Sequence, residues 1–234
     1  MREASDFPDI KAIVVDIDGT LTDMSRLISL EAVASMRQLP IPVILCSGNV
    51  ICFMRAASKL LGASSLVIGE NGAVVQAGYD AHPLVLADIE ECRRARDFLM
   101  NEFPDLESLD ETYRKSELAF RRGIDLEKAK SLIAEHYPGL EMLDTQFALH
   151  LKHKSVNKAT GMLKVSEILG LSTQNFAAMG DSENDLPMLK EAGIAIAVGN
   201  ATPDVKAEAD YVCRKSYGEG AAEGFEWLRH MLYL

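Results

Sequence analysis

Short β-branched runs alternate with amphipathic stretches at both ends of the chain. Residues 11–16 (KAIVVD) form an apolar run with no polar alternation, which predicts a strand buried on both faces. A helix over 30–39 follows and is stopped by Pro40 and Pro42. Residues 43–46 predict a second strand, and a helix over 50–61 ends at Gly62. Residues 66–68 predict a third strand, and Asn71-Gly72 a turn into a ribbon over 73–76. From residue 156 the alternation returns. It predicts a helix over 157–169 closed by Gly170, a strand over 176–179, a helix over 186–192 closed by Gly193 and a strand over 194–198. A short helix opened by Thr202-Pro203, a strand over 211–213 and a helix over 221–231 complete the chain. Such alternation predicts an α/β fold with a parallel sheet covered on both faces.

The middle of the chain follows another rhythm. Residues 87–103 predict a long charged amphipathic helix. Residues 117–121 predict a strand, 125–136 a helix capped by Asp125, and 140–143 and 147–152 two further strands. Two helices over a small antiparallel sheet make an α+β insert. The expected organisation is therefore a Rossmann-like core from residues 1–81 and 154–234, interrupted by a second domain over 82–153.

Charge narrows the function. The 234 residues carry 24 Lys and Arg against 35 Asp and Glu, a net charge of −11. Proteins that track nucleic acid or anionic membranes need basic surface, so neither is an expected partner. No apolar run approaches the ~18–20 residues of a membrane span, and Met1–Asp6 carries no apolar signal core, so the expected location is the cytoplasm. Cys46, Cys52, Cys92 and Cys213 form no C-x-x-C pair and read as reduced thiols. The five histidines show no metal spacing. No Walker A, Gly-x-Ser-x-Gly or Gly-x-Gly-x-x-Gly sequence occurs, and Ser155-x-x-Lys158 lacks the partner motifs of acyl-enzyme chemistry.

Two acidic loops carry the chemistry. Asp16-Ile17-Asp18-Gly19-Thr20 ends the first predicted strand, and Gly180-Asp181-Ser182-Glu183-Asn184-Asp185 ends the strand over 176–179. Ligands of open α/β sheets bind at the carboxyl ends of strands. Either loop alone reads as a solvated turn. Both together form a hard-oxygen site suited to Mg²⁺. Ser47-Gly48-Asn49, after the second strand, can offer amides and hydroxyls to a phosphate. Lys158 opens a helix where the dipole disfavours a cation, a small sign of function.

These residues, Asp16–Thr20 (DIDGT), Ser47, Lys158 and Gly180–Asp185 (GDSEND), stand in the order of the four motifs of the haloacid dehalogenase superfamily, which the chain resembles. The insert is similar to its type IIB cap. Asn71-Gly72-Ala73 and Gly199-Asn200-Ala201 look like the Cof-type branch. Ser47-Gly48-Asn49-Val50-Ile51, Glu70-Asn71-Gly72 and the short length resemble the archaeal phosphoglycolate phosphatases. The resemblance implies a Mg²⁺-dependent phosphatase acting through an aspartyl-phosphate, with 2-phosphoglycolate as the expected substrate and a small anionic phosphomonoester in any case. Asp16 would be the nucleophile and Asp18 the general acid, then base. Asp16, the Asp18 carbonyl, Asp181 and Asp185 would hold the metal, Asp185 directly or through water. Ser47, Gly48, Asn49 and Lys158 would bind the phosphoryl group, with Glu183 and Asn184 orienting Asp181 and its loop. A carboxylated substrate calls for a cation from the cap, with Lys115, Arg121, Arg122, Lys152, His153 and Lys154 as candidates. The alternatives are a sugar-phosphate phosphatase or phosphomutase of the same superfamily and, from another class, a phospho-accepting regulator. A regulator would have no use for an acid at Asp18. The assembly to test for is a homodimer.

Overall fold

The computed structural model describes residues 8–233; the signal-core expectation for Met1–Asp6 lies outside them. The first part of the chain runs β1 (Ala12–Asp16), α1 (Leu30–Met36), β2 (Val43–Cys46), α2 (Ile51–Leu61), β3 (Leu66–Gly69), β4 (Val74–Ala77) and β5 (Leu84–Val85). Then come α3 (Ile89–Glu102), β6 (Ser108–Leu109), β7 (Leu118–Phe120), α4 (Leu126–His136), β8 (Leu140–Asp144) and β9 (Leu149–His153). The last part contains α5 (Lys158–Leu169), β10 (Phe176–Gly180), α6 (Leu186–Glu191), β11 (Ile194–Ala197), α7 (Pro203–Glu208), β12 (Tyr211–Val212) and α8 (Tyr217–Leu232). None of the helices among the described residues is long and apolar enough to cross a membrane.

The described strands form two sheets. The larger has eight strands in the order β12-β11-β10-β1-β2-β3-β4-β5, parallel from β12 to β3 and antiparallel from β3 to β5. The smaller is antiparallel, in the order β6-β7-β9-β8. From β1 the chain winds outward through β2 and β3, whereas from β10 it winds the opposite way through β11 and β12. The strand order therefore reverses between β1 and β10, and that switch point opens a crevice at the strands' carboxyl ends. The register puts Val15 beside Met179, so Asp16 and Gly180 finish their strands side by side.

Alternation along β1 separates two cores. Ile13 and Val15 pack with Met36, Met54 and Phe225 on one face, and Ala12 and Val14 with Met162, Val165 and Met188 on the other. Burial on both faces explains why β1 reads as a continuous apolar run. A third core is separate. Cys92, Ala95 and Leu99 of α3 and Ile133 of α4 cover Leu118, Phe120, Met142 and Leu151 of the smaller sheet. Local chemistry fixes the ends. Ser29, Asp88, Asp125 and Asn157 cap α1, α3, α4 and α5, and Gly62 and Gly170 end α2 and α5 in left-handed backbone. All four cysteines are unpaired, and Cys46, Cys92 and Cys213 are buried.

Several boundaries differ from expectation. The chain stays with the larger sheet past residue 82: β5 pairs with Val74 and Val75, and the Leu86 amide donates to the Ala73 carbonyl at 2.8 Å. Helix α8 starts at Tyr217, four residues before the expected 221. The glycines there weaken the helical pattern, yet they serve close packing. A Cβ on Gly218 would lie 2.1 Å from the Ser29 Cβ. Helix α6 ends at Glu191, so Gly193 does not close it. A Cβ on Gly193 would instead sit 2.1 Å from the Gln174 carbonyl oxygen.

Candidate active site

Asp16 is the last residue of β1 and is buried. Gly19 turns the chain at a φ of 90°, and a side chain there would strike Asp181, 2.6 Å away. Asp181 and Asp185 follow β10, so the switch point brings the two acidic loops together. Asp16, Asp181 and Asp185 each offer an oxygen within 4.8 Å of the others. Lys158 reaches in from the first turn of α5, fully buried, with its Nζ 2.6 Å from Asp16 Oδ1 and 2.5 Å from Asp185 Oδ1. A tight approach delivers it: a Cβ on Gly72, at φ 99°, would overlap the Asn157 carbonyl oxygen at 1.8 Å. Only glycine lets the β3–β4 turn lie against the start of α5.

The remaining bonds distinguish the aspartates. Asp185 Oδ2 accepts from the Asp181 and Ser182 amides, both at 3.0 Å, and the Asp185 carboxylate so braces its own loop. Asp181 Oδ1 accepts from Thr20 Oγ1 at 3.1 Å. Asp16 Oδ2 is buried with no hydrogen-bond partner among the described residues. Burial pushes Asp16 well above the ordinary carboxylate range; Lys158 pulls it down, and Asp185, Asp181 and Asp18 add to the rise. Burial and Asp185 push Asp181 up to about 7 against the pull of Lys158 and Thr20. Lys158 is held well above its ordinary value, because Asp16 and Asp185 outweigh its burial. One ammonium cannot balance this many carboxylates, and the orphaned Asp16 oxygen marks where a cation is wanted. Carboxylate oxygens with no sulfur or imidazole among them are a donor set for Mg²⁺.

Asp18 faces other partners. Its Oδ2 accepts from Asn49 Nδ2 at 2.8 Å and Ser47 Oγ at 3.4 Å, and Arg26 Nε lies 3.8 Å from its Oδ1. The Asp18 side chain is outside the cluster of three carboxylates, as a backbone-carbonyl role would require. Ser47, Gly48 and Asn49 line the same cleft as Asp16 and Asp18. Glu183 makes no hydrogen bond to Asp181, whereas Asn184 braces the loop itself, its Oδ1 accepting from Ser182 Oγ at 2.6 Å. Glu183 is exposed at the start of a tight turn, where its side chain heads for solvent. Asn184 also donates to Asn71 Oδ1 at 3.2 Å. Asp181 is oriented by Thr20, and its loop by Asp185 and Asn184.

None of the expected cap cations lines the cleft that holds Asp16 and Asp18, although Lys152 and Lys154 border a neighbouring hollow with Lys158 and Asn184. Lys152 is tied to Glu141 and to the Val156 carbonyl, and His153 to the Asp88 carbonyl. Arg121 and Arg122 pair with Glu107 and Asp144 on exposed surface. Lys115 and Lys154 do not line the cleft either. Arg26, Arg114 and His150 line it instead, with Phe147 from the β8–β9 turn lying under the Arg26 guanidinium at 4.9 Å. A buried polar junction supports them. Glu117 Oε1 accepts from Arg114 Nη1 at 2.7 Å and meets His150 Nδ1 at 2.7 Å, while Asn71 Nδ2 donates to both Glu117 oxygens. Burial would raise Glu117, but His150, Arg114 and Asn71 hold it below its ordinary value. Glu70, at φ 49°, accepts from the Lys115 and Ser116 amides at 3.0 and 2.8 Å.

The family described as haloacid dehalogenase-like hydrolase matches residues 13–92 and 94–225. The chain belongs to the haloacid dehalogenase-like hydrolases. It is 46% identical to a phosphoglycolate phosphatase of Methanosarcina acetivorans over 93% of this chain and 96% of that one. It is 45% identical to one of Archaeoglobus fulgidus over the same shares. A crystal structure from Thermoplasma acidophilum superimposes with a TM-score of 0.87 at 28% identity, covering 97% of this chain and all of that one. In this hydrolase Asn200 also takes a place that spacing alone did not assign. Its Nδ2 donates to the Gly19 carbonyl at 2.9 Å, and its Oδ1 accepts from the Tyr217 amide, clamping the β1 loop to the start of α8.

Proposed function

We propose that this hydrolase is a Mg²⁺-dependent phosphatase that converts 2-phosphoglycolate to glycolate and phosphate through an aspartyl-phosphate on Asp16. The single observation that carries the reading is the buried, partnerless Asp16 Oδ2 beside Asp181, Asp185 and Lys158. Asp16 and Asp181, with the Asp18 carbonyl, would hold Mg²⁺. Asp185, whose oxygens are already engaged, would act through water. The ion supplies positive charge between a carboxylate and a phosphate dianion that would otherwise repel each other. Two archaeal relatives named phosphoglycolate phosphatase, matching nearly end to end, support the substrate.

Asp16 forms a bond to phosphorus as the ester P–O bond breaks. Asp18 gives its proton to the departing oxygen and then takes one from the water that cleaves the aspartyl-phosphate. The sum is ester plus water to alcohol plus phosphate. Ser47, the amides near Gly48 and Asn49, and Lys158 balance the phosphoryl oxygens. The insert from α3 to β9 acts as a cap. Leu109, Thr145 and Phe147 lie over the cleft, which supports their excluding bulk water.

A phosphate-release screen over phosphoglycolate, sugar phosphates, nucleotides and pyridoxal phosphate tests the reading. Phosphoglycolate is expected to rank first with Mg²⁺, and EDTA to abolish release. Regeneration of an organic phosphate would point to a mutase instead. A second expectation concerns pH. Asp16 and Asp181 hold protons more tightly folded than unfolded, so the metal-free chain loses stability as pH rises above the ordinary carboxylate range, for Asp181 through about 7. Glu117 and Glu223, shifted downward, change stability only below their ordinary value of 4.5. The gain in urea midpoint on adding Mg²⁺ should therefore widen from pH 5.5 to 7.5. A gain that is flat or shrinks over that range contradicts the assigned metal ligands.

A further inference from the structure

We propose that Arg114 and His150, both held by Glu117, recognise a carboxylate on the substrate one or two carbons beyond the phosphate ester. This rests on the phosphatase reading and adds the residues that select the substrate.

Arg114 and His150 come from the smaller sheet and its β6–β7 connection, yet they touch the Ser47-Gly48-Asn49 turn of the larger one. Arg114 Nη1 donates to the Gly48 carbonyl at 3.2 Å. A Cβ on Gly48 would lie 2.9 Å from His150 Cε1, so glycine is what lets the imidazole approach. A substrate with its phosphoryl group at that turn extends directly toward these two side chains. Both are more than nine-tenths buried and both line the cleft with Asp16 and Asp18.

Each keeps one nitrogen in reserve. Arg114 commits Nε to the Leu109 carbonyl at 3.2 Å and Nη1 to Gly48 and Glu117, which leaves Nη2 with no acceptor among the described residues. His150 commits Nδ1 to Glu117, which leaves Nε2 in the same position. Glu117 accepts from Nδ1–H and fixes the ring, and Nε2 then donates to a ligand carboxylate when the imidazole carries both protons, an arrangement that two flanking carboxylates favour. A guanidinium edge out of bulk water suits a carboxylate better than a hydroxyl. The competing charge, Asp110, also lines the cleft but is exposed, where water screens it. Arg26 is exposed and already engaged by Asp18 and Phe147. The junction is also wired to the acidic loop, because Asn71 bonds Glu117 on one side and accepts from Asn184 on the other.

The test compares kcat/KM for 2-phosphoglycolate and for 2-hydroxyethyl phosphate, an ester of equal length with a neutral end. Wild type should favour the carboxylated ester. Arg114→Gln should cut the ratio of the two values about 10²-fold, chiefly through KM for phosphoglycolate. His150→Gln should cut it by a smaller factor, and Arg114→Lys should fall between Arg114→Gln and wild type. Turnover of the neutral ester by the same preparations reports that the site is assembled. If Arg114→Gln does not fold, the His150→Gln and Arg114→Lys ratios decide the matter. Equal losses on both esters, or an unchanged ratio, would overturn the proposal. Wild type that cleaves both esters equally well also overturns it but leaves the phosphatase reading standing. Wild type that releases phosphate from neither ester refutes that reading itself.

Discussion

Asp16→Asn is expected to lower phosphate release at least about 10⁴-fold while the chain stays folded. The amide keeps the shape of the carboxylate but cannot attack phosphorus. The fold should tolerate it well. Asp16 sits among Asp18, Asp181 and Asp185, and its ionised form is disfavoured there. A neutral side chain removes part of that repulsion. Lys158 keeps Asp185 as a partner at 2.5 Å. The variant's urea midpoint in EDTA should therefore equal or exceed that of wild type, and its gain from Mg²⁺ should shrink. Turnover persisting at the wild-type rate would remove Asp16 from its assigned role. A collapsed midpoint would mean the carboxylate is chiefly structural.

Lys158→Met should be damaging in both respects. The ammonium is fully buried between Asp16 and Asp185, and removing one partner of a buried ion pair costs about 3–5 kcal/mol. Activity should fall at least about 10²–10³-fold through loss of a preorganised positive charge. The stability loss should depend on pH. Burial holds the Asp16 proton well above the ordinary carboxylate range, and once protonated Asp16 no longer needs the ammonium, so the deficit should be smaller at pH 5 than at pH 7.5. Combining Lys158→Met with Asp16→Asn should recover part of the loss, since the two side chains touch. A strictly additive double variant would show that the contact carries no coupling.

The α/β alternation, the parallel sheet and both acidic loops were legible because each depends on local pattern. A doubly buried strand such as β1 reads as a pure apolar run, and Gly19 and Asp181 lie where strands end. The strands β5 and β6 were not legible, because each is two residues long and neither runs on into a buried apolar residue, as the equally short β12 does into Cys213. Arg114 and His150 were missed for another reason. Arg114 lies in an irregular connection whose role is set by Gly48, 66 residues earlier in sequence. His150 sits between Leu149 and Leu151 in a strand whose positions are buried on both faces, so no polar alternation singles it out. Its neighbours Lys152 and His153 drew attention as a basic cluster, but Glu141 and the Asp88 carbonyl occupy them. A signal was present in Arg114-x-x-Glu117, a charged pair entering an apolar strand, though nothing local distinguishes it from surface charge.

The joint between the two layers is made of polar contacts: the Glu70 carboxylate against the amides of Lys115 and Ser116, and Asn71 against Glu117. The third apolar core stays separate from the other two. When such a joint lets go, water can replace each vacated donor and acceptor, and the apolar surface bared is small, chiefly Phe147 against Arg26. If the two layers separate at this joint, the opening is expected to change heat capacity little and to leave each half's apolar core intact.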